Sequence, residues 1–200
     1  VEVIGVSAQS LFNSLFETGI SIEKFYDVFY DYAADNIEAL LQFQGSTLLV
    51  SPTPGIGFLK QVFQNDEVRM RRFFEEAAVS MNKIGQKCKA SQINLAIRNE
   101  YWTQMRGEHI EAFMELVDPE LVSYAYQTIS PEFPQDGRQQ RVYYDLGYGN
   151  VDFALLYSIL KEADFDGPVV LESKYSLDIP KGILRLRTFW NRLEKQYLKN

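Results

Sequence analysis

Five short apolar or β-branched runs, separated by longer stretches of helical periodicity, restrict what this chain can fold into more than any other feature. The runs are residues 1–8 (VEVIGVSA), 46–51 (STLLVS), 93–97 (INLAI), 121–125 (LVSYA) and 168–172 (PVVLE). After the first comes a polar segment, 9–22, that reads as a long loop. A helix then starts near 21 or 22, with Phe25, Val28, Phe29, Tyr32, Ala33, Ile37, Leu40 and Leu41 forming an apolar stripe. The second run ends at 52–55 (PTPG), since proline has no N–H for a central ladder. Asp66 is placed to cap the next helix, in which Met70, Phe73, Phe74, Ala77, Met81, Ile84 and Cys88 recur every three or four residues. A helix over 107–117, with Ile110, Phe113, Met114 and Val117 inward, follows the third run. Strand followed by helix, repeated, predicts a parallel sheet with crossovers of one hand.

The alternation breaks over 126–150, where Pro131, Pro134 and Gly137 interrupt any period and only 141–146 resembles a strand. A loop of about two dozen residues in a compact domain is uncommon and signals either a functional loop or a wrong assignment of elements. Beyond it, 147–172 reads as loop, helix, strand and acid in immediate succession. Gly147 and Gly149 tolerate positive φ, and Asn150 or Asp152 can cap the helix. Val151, Leu155, Leu156, Ile159, Leu160 and Ala163 share one helical face. Asp166-Gly167-Pro168 stops the helix, Val169-Val170-Leu171 suits a strand covered on both faces, and Glu172 closes it. The C-terminal ends of parallel strands are where such proteins bind ligands. A closing amphipathic helix over 179–200 uses Ile183, Leu186, Phe189, Trp190, Leu193 and Tyr197.

The G-x-G-x-x-D-F loop at 147–153, its helix and the G-P-V-V-x-E strand at 167–172 resemble the last βα unit of the xylose isomerase-like TIM barrels, a family that includes sugar phosphate isomerases and epimerases. The resemblance implies an α/β fold, a (β/α)8 TIM barrel, over a single domain spanning 1–200. A closed barrel has eight strands and about 250 residues. Against the family, two βα units before Val1 and a helix and strand near residues 125–127 are expected to be missing, which makes the barrel incomplete. An open barrel exposes strand edges, through which a homo-oligomer can form.

In the family, the Glu closing the final strand is a divalent-metal ligand, a role the resemblance carries to Glu172. The other family ligands are Glu, Asp and His from other strand ends, a donor set suited to Mn, Co, Mg or Zn. Glu100 is the acid nearest the first of them, while Arg98 or Arg106 stands at the strict position. Arg98, Arg106 and Trp102 are then substrate-binding candidates, and the arginines suit an acidic or phosphorylated sugar. The implied reaction is isomerisation or epimerisation of a sugar or sugar phosphate, by metal-assisted proton transfer at the carbon next to a carbonyl, with Glu172 and Glu100 as catalytic carboxylates. An inosose dehydratase-like lyase and a non-catalytic sugar-binding protein of the same fold are the alternatives. Glu172 also reads as a solvated strand-end acid, and both arginines as solvated loop residues.

Composition narrows the partners. With 200 residues and 46% of them hydrophobic, one substantial core is expected. A formal charge of −7 argues against nucleic acid and anionic membranes as partners and leaves small molecules. Cys88 is the only cysteine, which excludes an intrachain disulfide and fits a reducing cytoplasm. His109 is the only histidine. It falls in the first turn of a predicted helix without a second ligand at metal spacing, so an exposed position is expected.

Overall fold

The computed structural model of the chain describes residues 5–7, 24–98, 103, 105, 108–125, 146–147, 151–167, 169–171 and 178–197. They fall in two compact units, 1–127 and 128–200.

The first unit is built on a sheet of four parallel strands in the order β1-β2-β3-β4: Gly5–Ser7, Thr47–Val50, Asn94–Arg98 and Val122–Ala125. Every strand-to-strand register is parallel, with Leu48 beside Leu95 and Leu95 beside Val122. Helices Phe25–Gln42 (α1), Glu67–Ala90 (α3) and Glu108–Leu116 (α4) form the crossovers, as the alternation predicts. A short helix, Ile56–Val62 (α2), was not anticipated. At seven residues it is too short to show a stripe, and its only buried side chain is Leu59.

Aromatic stacking joins α1 to α3. Phe25 and Phe29, with ring centroids 6.1 Å apart, lie on one face of α1, and Phe25 meets Phe73 of α3 at 5.7 Å. Phe63 closes on the same Phe73 at 5.6 Å, while Phe74 packs edge-on against Phe113 of α4 at 5.1 Å. Phe25, Phe29, Phe73 and Phe113 are fully buried, each contributing about 1.5–3 kcal/mol by leaving water. Leu41, placed on the stripe from its spacing, is 50% exposed. Steps of four from Phe25 to Ile37 rotate the stripe around the helix, and the compensating step of three lands on Leu40. The cap at Asp66 forms as expected, its carboxylate accepting from the Val68 and Arg69 amides at 3.0 and 3.1 Å.

Close approach at Gly85 lets α3 lie against the turn leading into β4. A Cβ there would stand 2.8 Å from both the Cβ and the carbonyl oxygen of Leu121. One helical turn earlier, Asn82 accepts the Asp118 amide at 2.8 Å, fixing the same turn from the side.

In the second unit, helices Phe153–Glu162 (α5) and Ile179–Tyr197 (α6) pair through rings: Phe153 on Phe189 at 5.5 Å and Tyr157 on Trp190 at 5.7 Å. Asp152 caps α5 by accepting the Leu155 amide at 3.0 Å. Gly147 has φ +85°, as its place in the loop predicts, and a Cβ there would run into the Phe189 ring. The expected apolar face of α5 is turned by one position. Phe153, Leu156, Tyr157 and Leu160 are half-buried, whereas Leu155 and Ile159 are more than half exposed. Ring pairing with α6 fixes that rotation and outweighs the aliphatic spacing. Ile183 is likewise exposed, because α6 buries Leu186 and Leu193.

The helix also ends earlier than Asp166-Gly167-Pro168. Asp164 takes φ +50°, and the Phe165 amide returns to the Leu160 carbonyl at 3.0 Å. The strand expected over 168–172 is not present among its described residues: 169–171 have no ladder, and Val170 is 71% exposed. A strand exists only through a paired neighbour, and no described segment supplies one here. Among the described residues, no helix is long and apolar enough to cross a membrane.

Two outcomes follow from this packing. Gly85→Ala should lower stability by about 1–2 kcal/mol, because the clash with the Leu121 backbone outweighs the roughly 1 kcal/mol gain in helix propensity; chemical denaturation measures it. Cys88 is sealed in the core, and burial pushes its thiol from the ordinary 9.0 up to about 11. Below pH 9.0 both folded and unfolded chains keep the proton; between 9.0 and about 11 only unfolded chains ionise, so stability falls across that window. Urea midpoints measured below and within the window should therefore drop less for Cys88→Ala than for the parent.

Candidate functional site at the ends of strands β2 and β3

Residues of the sheet divide between two faces. Leu48, Val50, Leu95, Ile97 and Val122 belong to the core shared with α1, α3 and α4. By alternation, Leu49, Ala96 and Arg98 point to the other face, away from those helices. Val50 pairs with Ile97, so Ser51 and Arg98 each follow a paired residue at the C-terminal edge. Arg98 is the last residue of β3 and is only 7% exposed. Ser51, Thr53 and Thr103 are buried with it.

Three attachments hold this edge. Gly55 bridges Thr103 in antiparallel fashion, clasping the loop after β2 to the one after β3. The Thr103 hydroxyl oxygen accepts the Met105 amide at 3.0 Å. From the helix side, Tyr26 Oη donates to the Pro52 carbonyl at 3.1 Å. Burial, and secondarily the Glu76 carboxylate, pushes the Tyr26 phenol well above its usual range, so it stays a hydrogen-bond donor through neutral pH.

Within this fixed frame, Ser51 Oγ and Thr53 Oγ1 are buried with no hydrogen-bond partner among the described residues. An unsatisfied buried hydroxyl costs about 1–3 kcal/mol, which makes this pair at the strand edge candidate partners for a polar group. Neither residue stood out in the sequence. The signal available was hydroxyl side chains at the end of a parallel strand, next to prolines.

Of the sequence-derived candidates, Arg98 alone is described, and it lies at the edge as expected. Glu100, Trp102, Arg106 and Glu172 lie outside the described residues. His109 is exposed on α4, in accord with its expected place. Among the described residues, no group of three His, Cys, Asp or Glu side chains could hold a metal ion. Arg98, Ser51 and Thr53 do not fit a divalent cation, since a guanidinium has no lone pair to donate and repels positive charge. They suit oxygen-bearing, electron-rich groups. A separate groove of about 770 Å³ runs between α1 and α3, on the helix-covered side. Its rims carry Asp27, Asp31 and Glu76 as well as Arg69, Arg72 and Lys83, so its charge selects no class of ligand.

No family model and no curated protein matches the chain. Among solved structures it is similar to a xylose isomerase-like TIM barrel protein from Mycobacterium smegmatis, in complex with magnesium, with a TM-score of 0.65 and 15% identity over 94% of this chain and 72% of that one. It is also similar to a sugar phosphate isomerase/epimerase from Parabacteroides distasonis, with a TM-score of 0.60 and 12% identity over the same shares. The likeness is one of fold, and it agrees with the resemblance carried by residues 147–172.

The Tyr26 hydroxyl gives this site its first test. Tyr26→Phe keeps the ring against Phe73 but strands the Pro52 carbonyl, and should cost about 1 kcal/mol in chemical denaturation.

Proposed function

We propose that this protein is an isomerase or epimerase acting on a sugar or sugar phosphate, moving a proton at the carbon next to a carbonyl. The observation that carries the reading is a parallel β/α sheet whose C-terminal edge holds a buried guanidinium and buried hydroxyls, in a fold shared with proteins of that description. Sugars present many hydroxyl and carbonyl oxygens, and the edge of β2 and β3 presents donors to match. In this reading the carboxylate of Glu172 takes and returns the proton, with Glu100 as its partner, because inverting or relocating a C–H bond needs a base of suitable reach. Arg98, with Arg106 and Trp102, orients the substrate. A divalent cation, such as the magnesium of the similar structure from Mycobacterium smegmatis, would be held by Glu172 and would polarise the substrate carbonyl.

A metal-dependent thermal shift with Mn²⁺ or Mg²⁺, absent in Glu172→Gln, is the expected outcome. The same variant keeps side-chain size, removes the charge, and should lose at least about 100-fold in turnover of an aldose or ketose substrate while staying folded. Turnover by Glu172→Gln near the parent rate would place the chemistry elsewhere. Binding of neutral sugars without any turnover by the parent would favour a non-catalytic sugar-binding protein, and release of water from the substrate would favour a dehydratase.

A further inference from the structure

The outward faces of α1 and α6 carry opposite charges at matching positions. Lys24, Asp27, Asp31 and Glu38 follow one another at intervals of three, four and seven residues, and so do Asp178, Lys181, Arg185 and Arg192. At 3.6 residues per turn these intervals keep each set on one side of its helix. α1 buries Phe25, Phe29, Ala33, Ile37 and Leu40, and its three acids are exposed on the opposite side. α6 buries Leu186 and Leu193, and its three cations are likewise exposed and opposite. Asp178 caps α6 by accepting the Lys181 amide at 3.1 Å and meets the Lys181 ammonium at 2.8 Å, which fixes the start of the basic stripe. Tyr30 and the 63% exposed Leu184 each stand six residues past the first member of their set, adding an apolar pair beside the charges.

We infer that α6 of one copy docks lengthwise and parallel on α1 of a second copy, with Asp27 by Lys181, Asp31 by Arg185 and Glu38 by Arg192. The parallel register sets an opposite charge against every position, since Lys24 then falls by Asp178 where both signs are reversed. Like charges four residues apart repel along each helix, as at Asp27 and Asp31 or Lys181 and Arg185, and the facing stripe relieves both. The formal charge of −7 conceals this sorting, because the acids and bases of the two faces partly cancel in the sum. At about 0.15 M ionic strength the Debye length is ~8 Å, so the overall repulsion between copies is screened while pairs in contact still attract. Exposed ion pairs are individually weak, which makes the contact weak and sensitive to salt. The inference stands apart from the proposed reaction, as neither helix face includes a residue assigned to it.

Sedimentation equilibrium of the full chain tests the contact. Self-association is expected at sub-millimolar protein in about 0.15 M salt and should weaken at least about fivefold at about 1 M, where the Debye length falls to ~3 Å. Glu38→Arg and Arg192→Glu each place like charges together and should weaken association about tenfold or more. Both positions are exposed, so the variants should unfold at the parent's denaturant midpoint. Mixing the two variants restores the pair with its signs exchanged, and the mixture should associate about as tightly as the parent although each variant alone does not. Glu111→Lys, which changes an exposed acid on α4, should leave association unaltered. A parent that stays monomeric, or a mixture no tighter than its components, overturns the inference. Binding to vesicles of phosphatidylcholine with phosphatidylserine that is lost in Arg192→Glu, without self-association, gives the α6 stripe to a lipid surface and overturns it as well.

Discussion

Burial of a parallel ladder is the constraint from which the first unit follows. Parallel strands are joined through crossovers that lay helices across the sheet, and the strand face beneath must then be apolar. Here that cover is aromatic. Phe25, Phe29 and Phe73 pack above Leu48, Val50, Leu95 and Ile97 in one continuous core. Large flat rings span the space between α1 and α3 with few side chains, and Gly85 lets α3 come close enough to the turn before β4 for the same core to reach Phe113.

With one face of the sheet committed to the helices, the other is left for chemistry. Strand alternation makes the division automatic: each residue that faces away from the helices at a strand end sits on a rigid backbone and has no core to fill. Arg98 occupies such a position, and Ser51 follows directly after the last residue of β2. Their loops are tied down by the Gly55–Thr103 bridge and by Tyr26, so the polar edge is built on the same elements that stabilise the core. Placement on strands rather than on free loops favours fixed donor geometry, which is what discrimination between similar polar ligands needs.

Most of the first unit was legible in the sequence. Strands appeared as short β-branched runs, helices as stripes with a cap at Asp66, and their alternation implied parallel pairing, all of which the structure bears out. What escaped reading has identifiable causes. Ile56–Val62 is too short for its period to register. The α5 face was assigned from aliphatic spacing, whereas Phe153 and Tyr157 pair with rings on another helix, a choice that no local pattern encodes. Val169 and Val170 have strand composition, but a strand needs a neighbour, and pairing is not a property of the run itself. At the candidate site, Arg98 drew notice through its charge. Ser51 and Thr53 did not, because a hydroxyl becomes informative only once its burial and missing partner are known.

The order of strands in the sheet, β1-β2-β3-β4, has a kinetic side. Every strand lies beside the one made just before it, so no pairing has to wait for a distant part of the chain. The closest partners along the chain are β3 and β4, joined from Leu95 to Val122 through a single helix. Closing that loop carries the smallest entropic penalty of the three crossovers, because the cost grows with the logarithm of loop length. Folding of this unit is thus free to start at the β3–α4–β4 segment and to add β2 and β1 in turn, each arriving strand finding an edge already in place. The loop bearing Ser51 reaches the Arg98 end of β3 with the first of those additions, so the polar edge takes shape only after its supporting strand pair exists.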